Sequence, residues 1–180
     1  MLFVAFFNMK NNKRNINKDI IPEGFTLGLA CVDMLPVLFF GIAGLILAFM
    51  LQSYLFGFFA ATIFVSGALK VLWKVLVVIR KENVWPLFLQ MRIALPLGFL
   101  GMIAYLIVKA CTSDLTPFWN SFVNPVTLTL LSLSATGMAL MITFALTLNP
   151  ADKKSNWIEQ ITNSAAQFLF MLAIIFACAY

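Results

Sequence analysis

The side chains with the most chemistry to offer are cations, one carboxylate and a row of amides. Lys70 and Lys74 continue a four-residue step that begins at Thr62 and Ser66, and Gln160, Asn163 and Gln167 recur at three- and four-residue intervals. Such spacing puts each set on one side of a helix. Joined by Asp33 and Arg92, these donors would suit a carboxylate, a phosphate or an anionic headgroup, with Lys70 as its counter-charge. The candidate anionic pocket is Lys70, Lys74, Arg92, Asp33, Ser66, Gln160, Asn163 and Gln167. A plainer role competes with it: Lys74 and Arg92 reach out to headgroups, and the glutamines tie helices together.

Catalysis finds little support. The chain has no histidine, which removes Ser-His triads and the usual zinc and haem ligand sets. No Walker loop, no dinucleotide fingerprint and no pair of intramembrane carboxylates occurs. We expect no catalytic residue, no metal, no cofactor and no enzyme activity. Cys31, Cys111 and Cys178 lack C-x-x-C spacing, so a thioredoxin-like centre is also missing.

These residues sit in a chain built for lipid. Of 180 residues, 62% are hydrophobic and 11% charged, against about 25% charged in soluble domains. The expected architecture is an all-α, polytopic membrane bundle with five transmembrane helices, following a basic cytoplasmic tail over residues 1–24. The spans are expected at about 33–51, 57–79, 86–108, 125–148 and 158–180, in one domain over 25–180. The net charge of +5 marks topology and anionic headgroups, and we expect no nucleic-acid partner. At the start, residues 1–7 are apolar but too short to span. Either Met9 is the natural start, or this segment dips into the interface.

Lys70 is the residue hardest to place. It lies roughly 13 Å inside the last apolar turn at Ile79, and a mid-helix lysine costs about 2.5 to 3.5 kcal/mol on insertion scales. An internal partner is therefore expected, either Asp33 from the preceding helix or a bound anion, while the shallower Lys74 can reach water. Asp33 itself reads as the N-cap of the first span, with Pro36 in its first turn. Gly44/Ala48 and Ala94/Gly98 have the small-xxx-small spacing that lets helices approach closely. Only residues 52–55 separate spans one and two, so these form a tight hairpin. The glycine pairs at 41/44 and 98/101 hint at a parallel repeat of helix pairs. Asn156 with Glu159 reads as a capping box opening the fifth helix, and the hydroxyls of the fourth read as bonded to their own backbone.

With the N-terminus in the cytoplasm, all but Lys109 of the twelve positive residues fall inside, which also sets the C-terminus outside. Trp73, Trp85 and Trp157 then lie toward the inner boundary, and Tyr54, Trp119 and Tyr180 toward the outer. Cys111 and Cys178 share the outer side, where they either bridge or serve as small packing residues. The expected function is that of a small non-enzymatic multi-pass protein, a subunit or accessory factor of a complex in the cell membrane, bacterial inner or plasma. Its partners would be membrane lipids, anionic ones included, and another membrane protein or a second copy. The alternative is a transporter or lipid-binding component with a cytoplasm-facing basic pocket.

Overall fold

The computed structural model of the protein describes residues 26–81, 84–112, 115–148 and 152–179. The basic tail, the possible start at Met9 and Tyr180 lie outside the described residues. Six helices follow in order: α1 (Leu27–Met50), α2 (Tyr54–Arg80), α3 (Trp85–Thr112), the short α4 (Thr116–Asn120), α5 (Pro125–Thr147) and α6 (Lys153–Ala179). No strand occurs among the described residues. The five long helices are each long and apolar enough to cross a membrane. Their outward faces agree, with Leu45 67% and Phe49 82% exposed, a surface that water would not tolerate over so many turns.

Local chemistry sets where the helices begin. Thr26, Ser53 and Asn124 each accept a bond from the amide three residues on, at 3.2, 3.1 and 2.8 Å, as N-caps do. The first helix thus starts at Leu27, not at Asp33. Asp33 and Pro36 are interior to it, because the apolar run over 27–32 continues the span instead of lying beside it. Likewise α6 opens on Asp152, whose carboxylate accepts from the Ser155 amide at 3.0 Å and the Ser155 hydroxyl at 2.9 Å. The capping box expected at Asn156 and Glu159 is not the helix start, and Glu159 is released for another role.

The Asp152 cap carries a pH signature. Its carboxyl lies below the ordinary carboxylate range because Ser155 donates to the ionised form. A depressed value means that the cap's contribution is complete above the unfolded value of about 3.9 and is lost as pH falls through the folded one. In Asp152→Ala, the Ser155 amide should lose its protection from exchange, relative to the intrinsic rate, at pH 6. Wild type should protect that amide at pH 6 and lose the protection only once pH falls below the ordinary carboxylate range, and equal protection in the two proteins at pH 6 would refute the cap.

Packing order differs from chain order. The helices form one open layer, α3–α2–α1–α6–α5. In the α1–α2 hairpin, a Cβ added at Gly44 would meet the Ala60 Cβ at 2.9 Å, and one at Gly57 would meet the Ala48 Cβ at 3.4 Å. The Gly44/Ala48 face is thus where these helices close together. On the far side of α2, a Cβ on Gly98 would come within 3.2 Å of the Phe59 carbonyl oxygen, and one on Gly101 would strike the Phe59 ring. Both glycine pairs therefore serve one helix, α2, from its two sides. That is a different use from the repeat of helix pairs the sequence hinted at.

The second half joins through a parallel contact. Gly28 lies against Trp157, and Phe39 pairs with Phe168 at 5.2 Å between ring centroids, so α1 and α6 advance in the same direction. Ala43, Met171 and Ile174 continue this seam. Gly137 of α5 then packs on Ala166 of α6, and the buried Ser134 hydroxyl donates to the Ala166 carbonyl at 2.9 Å. To reach α5 from α3, the chain crosses the layer's end: Leu115 and Phe118 cover Leu51 and Phe56, and Phe122 covers the α1–α6 seam. Lys109 donates to the Leu51 carbonyl at 3.3 Å, which satisfies an orphaned end group of α1.

Cys31, Cys111 and Cys178 are free and exposed. The bridge considered between Cys111 and Cys178 is absent, since α2 and α1 stand between α3 and α6 in the layer.

Candidate functional site

Near the end of the layer that carries Arg80 and Lys81, Asp33 of α1 faces the two lysines of α2. The Lys74 ammonium is 2.5 Å from one carboxylate oxygen and that of Lys70 is 3.9 Å from the other. The i, i+4 spacing of the lysines lets both straddle one carboxylate. Side-chain exposure is 2% for Asp33, 8% for Lys74 and 32% for Lys70, so the shallower lysine is the buried one. Depth along the helix fails as a guide because azimuth decides. Lys74 lies on the stripe Gly67, Val71, Lys74 that α2 buries, and Lys70 stands beside that stripe.

A third helix completes the charge balance. Glu159 of α6 lies within electrostatic reach of Lys74, so two cations and two carboxylates converge from α1, α2 and α6 and sum to zero. Charges removed from water demand such pairing. The arrangement joins the α1–α2–α3 half to the α5–α6 half near the end that carries Arg80 and Lys81.

The remaining residues of the expected pocket divide. Ser66, one turn from Lys70, donates to Gln90 of α3 at 2.9 Å, and Gln90 returns a bond to the Ser66 carbonyl at 3.3 Å. This reciprocal pair ties α2 to α3 and leaves Ser66 buried with its hydroxyl proton committed. Thr62 donates to Phe58 of its own helix at 2.9 Å. Arg92 is exposed, its guanidinium 4.6 Å above the Phe88 ring, and does not join the lysines. Gln160, Asn163 and Gln167 are half-buried on α6; no hydrogen bond among the described residues links them to Asp33 or Lys70. The carbonyl oxygens of Gln160 and Gln167 are buried without a partner among those residues.

Two participants escaped the sequence reading. Gln90 carried no signal beyond its presence in an apolar run. Glu159 did: Asp33 with two lysines leaves one positive charge over, and a second carboxylate at the same end was the natural complement. No group of three or more metal-ligating side chains occurs among the described residues.

The layer's two edges are chemically unlike. On α5, Thr129, Ser132, Thr136, Thr143 and Thr147 are exposed, and each donates to the carbonyl four residues back at 2.8 to 3.0 Å. The backbone bonding expected of these hydroxyls is therefore present. Their spacing sets them on one stripe, turned away from the Ser134 side that meets α6. On α3 the exposed stripe is Leu89, Ile93, Leu100, Ile103 and Ile107.

No family model, no curated protein and no solved structure matches this chain. What defines it is therefore its own architecture: an all-helical protein whose five long apolar helices have the length and composition of a membrane protein. Four of the nine charged side chains in those helices, Asp33, Lys70, Lys74 and Glu159, gather into one neutral cluster.

Proposed function

We propose that this protein is a non-enzymatic subunit or accessory factor of a membrane complex, acting by packing α5 against a transmembrane helix of another protein. The observation that carries this reading is the hydroxyl stripe on α5. Lipid-facing surfaces favour Leu and Ile, as on α3, whereas small and hydroxyl residues let a second helix approach closely. Ala135 and Ala139 lie exposed on one side of the stripe and widen the low surface there, while Leu133 and Leu140, 51% and 45% exposed, border its other side. The charge-balanced cluster supports the same reading, because the lysines already have their counter-ions.

The topology belongs to the proposal: five spans in the cell membrane, N-terminus cytoplasmic and C-terminus outside. It rests on the gathering of positive residues at one end of the layer and on the internal use of Lys109 at the other. Impermeant thiol labelling of single cysteines at 53 and 118, but not at 154, in intact cells is expected. Labelling at 154 would reverse it.

The alternative, a transporter or lipid-binding component holding an anion at Lys70, draws on the one-third exposure of that lysine. Mild-detergent purification from the native membrane, read by native mass spectrometry, separates the two. The subunit reading expects an assembly heavier than the 20.1 kDa chain that Thr136→Leu dissolves. A lone chain retaining an anionic solute that Lys70→Met releases would replace it with the alternative.

A further inference from the structure

The edge that the proposed docking leaves to lipid has a chemistry of its own. Arg92 lies in the first third of α3 on the side of the exposed stripe, one turn beyond Leu89, two turns beyond Trp85 and next to Ile93. Its guanidinium is fixed in orientation by the Phe88 ring 4.6 Å away, and no carboxylate among the described residues pairs with it. A guanidinium lying over a ring keeps N–H donors for a further partner. At the same end, α2 closes on Arg80 and Lys81, both exposed, and α2 meets α3 there through Val77 packed with Phe88. Even with Glu82, which follows Lys81 in the sequence, counted, two positive charges remain. Beyond Arg92 the exposed stripe of α3 runs on from Ile93 through Leu100 to Ile107, toward the far end of the helix.

We propose that this edge is a binding site for one anionic phospholipid, its phosphate taken by the Arg92 N–H edge and its acyl chains laid along the α3 stripe. Three features distinguish it from a cation that merely reaches for the nearest headgroup. The guanidinium lies over an aromatic ring, its bidentate edge matches a phosphate, and the apolar stripe continues below it from Ile93. Residual positive charge from α2 selects an anionic headgroup over a zwitterionic one. A free phosphate could satisfy Arg92 but would gain nothing from the stripe.

The test uses the full chain in detergent, titrated separately with dioleoyl phosphatidylglycerol, dioleoyl phosphatidylcholine and inorganic phosphate, and read as adduct occupancy by native mass spectrometry. A one-to-one phosphatidylglycerol adduct is expected, with neither of the other two reaching comparable occupancy. Arg92→Gln should weaken that adduct about tenfold, the scale of one charge-assisted hydrogen bond, and Arg92→Lys should restore part of it. Lys153→Gln, a cation at the same end but on α6, should leave it unchanged. Equal retention of phosphatidylcholine, an equal loss in Lys153→Gln, or no loss in Arg92→Gln would each overturn the site. Occupancy by inorganic phosphate alone would reduce it to an anion contact without a lipid.

Discussion

Asp33→Asn is expected to lower the unfolding free energy of the detergent-solubilised protein by about 3 to 5 kcal/mol, the range for breaking a buried ion pair from one side. The carboxylate is 2% exposed and serves two ammonium groups, so its loss takes from the buried Lys74 its closest counter-charge. Lys74→Met should cost nearly as much, because Asp33 then keeps only the distant partner at 3.9 Å. Lys70→Met should cost about 1 kcal/mol or less, as expected for a partly exposed and loosely paired cation. The decisive variant is Asp33→Leu with Lys74→Met. It removes one charge of each sign, leaves Lys70 and Glu159 in balance, and should recover most of the loss. Additive losses in the double variant, measured by denaturant titration of tryptophan fluorescence, would show that the residues do not act as a pair.

The second large effect is steric. An added Cβ at Gly44 falls 2.9 Å from the Ala60 Cβ, and neither atom has a torsion through which to escape. Gly44→Ala must therefore push α1 and α2 apart, and Gly44→Leu must push further, at about 1 to 3 kcal/mol for overpacking and more for the larger side chain. Separation of these helices also opens the Asp33–Lys74 contact, which they hold between them. Moving the methyl instead of adding one tests the geometry: Gly44→Ala combined with Ala60→Gly should return stability toward wild type. A double variant no better than Gly44→Ala alone would place the close approach elsewhere.

The five apolar spans were legible from length and hydropathy, and the α1–α2 hairpin from the short turn and the Gly44/Ala48 spacing. Lateral order was not. When every face of a helix is apolar, periodicity no longer distinguishes inward from outward, so nothing in the pattern announced that α1 lies between α2 and α6. Glycines were the surviving signal, and they named contacts without naming partners: Gly98 and Gly101 turned out to face Phe59 and Ile63 of α2.

The charged cluster was half legible. Asp33 and the two lysines were marked by their cost in an apolar run, but ranking the lysines by depth chose Lys70, whereas azimuth on α2 buries Lys74. Reading Asp33 as a cap followed from its charge, which interrupts the apolar run over 27–51; opposite a lysine it is compatible with a helix interior. Glu159 was concealed by a plausible capping box, while the cap was formed one turn earlier by Asp152 and Ser155. Arg92 was grouped with the lysines by charge alone, and it belongs instead to the α3 edge with Phe88.

The docking of α5 is tested most directly by site-specific photo-crosslinking in the native membrane, with a photoreactive side chain placed at Thr136 in one sample and at Ile93 of α3 in another. The proposed function predicts one discrete protein adduct from Thr136, of the same mass when the probe is moved to Ser132 or Thr143, and lipid adducts alone from Ile93. A doubled mass at Thr136 would make the partner a second copy of this chain. Lipid adducts alone from all three hydroxyl positions would contradict the account.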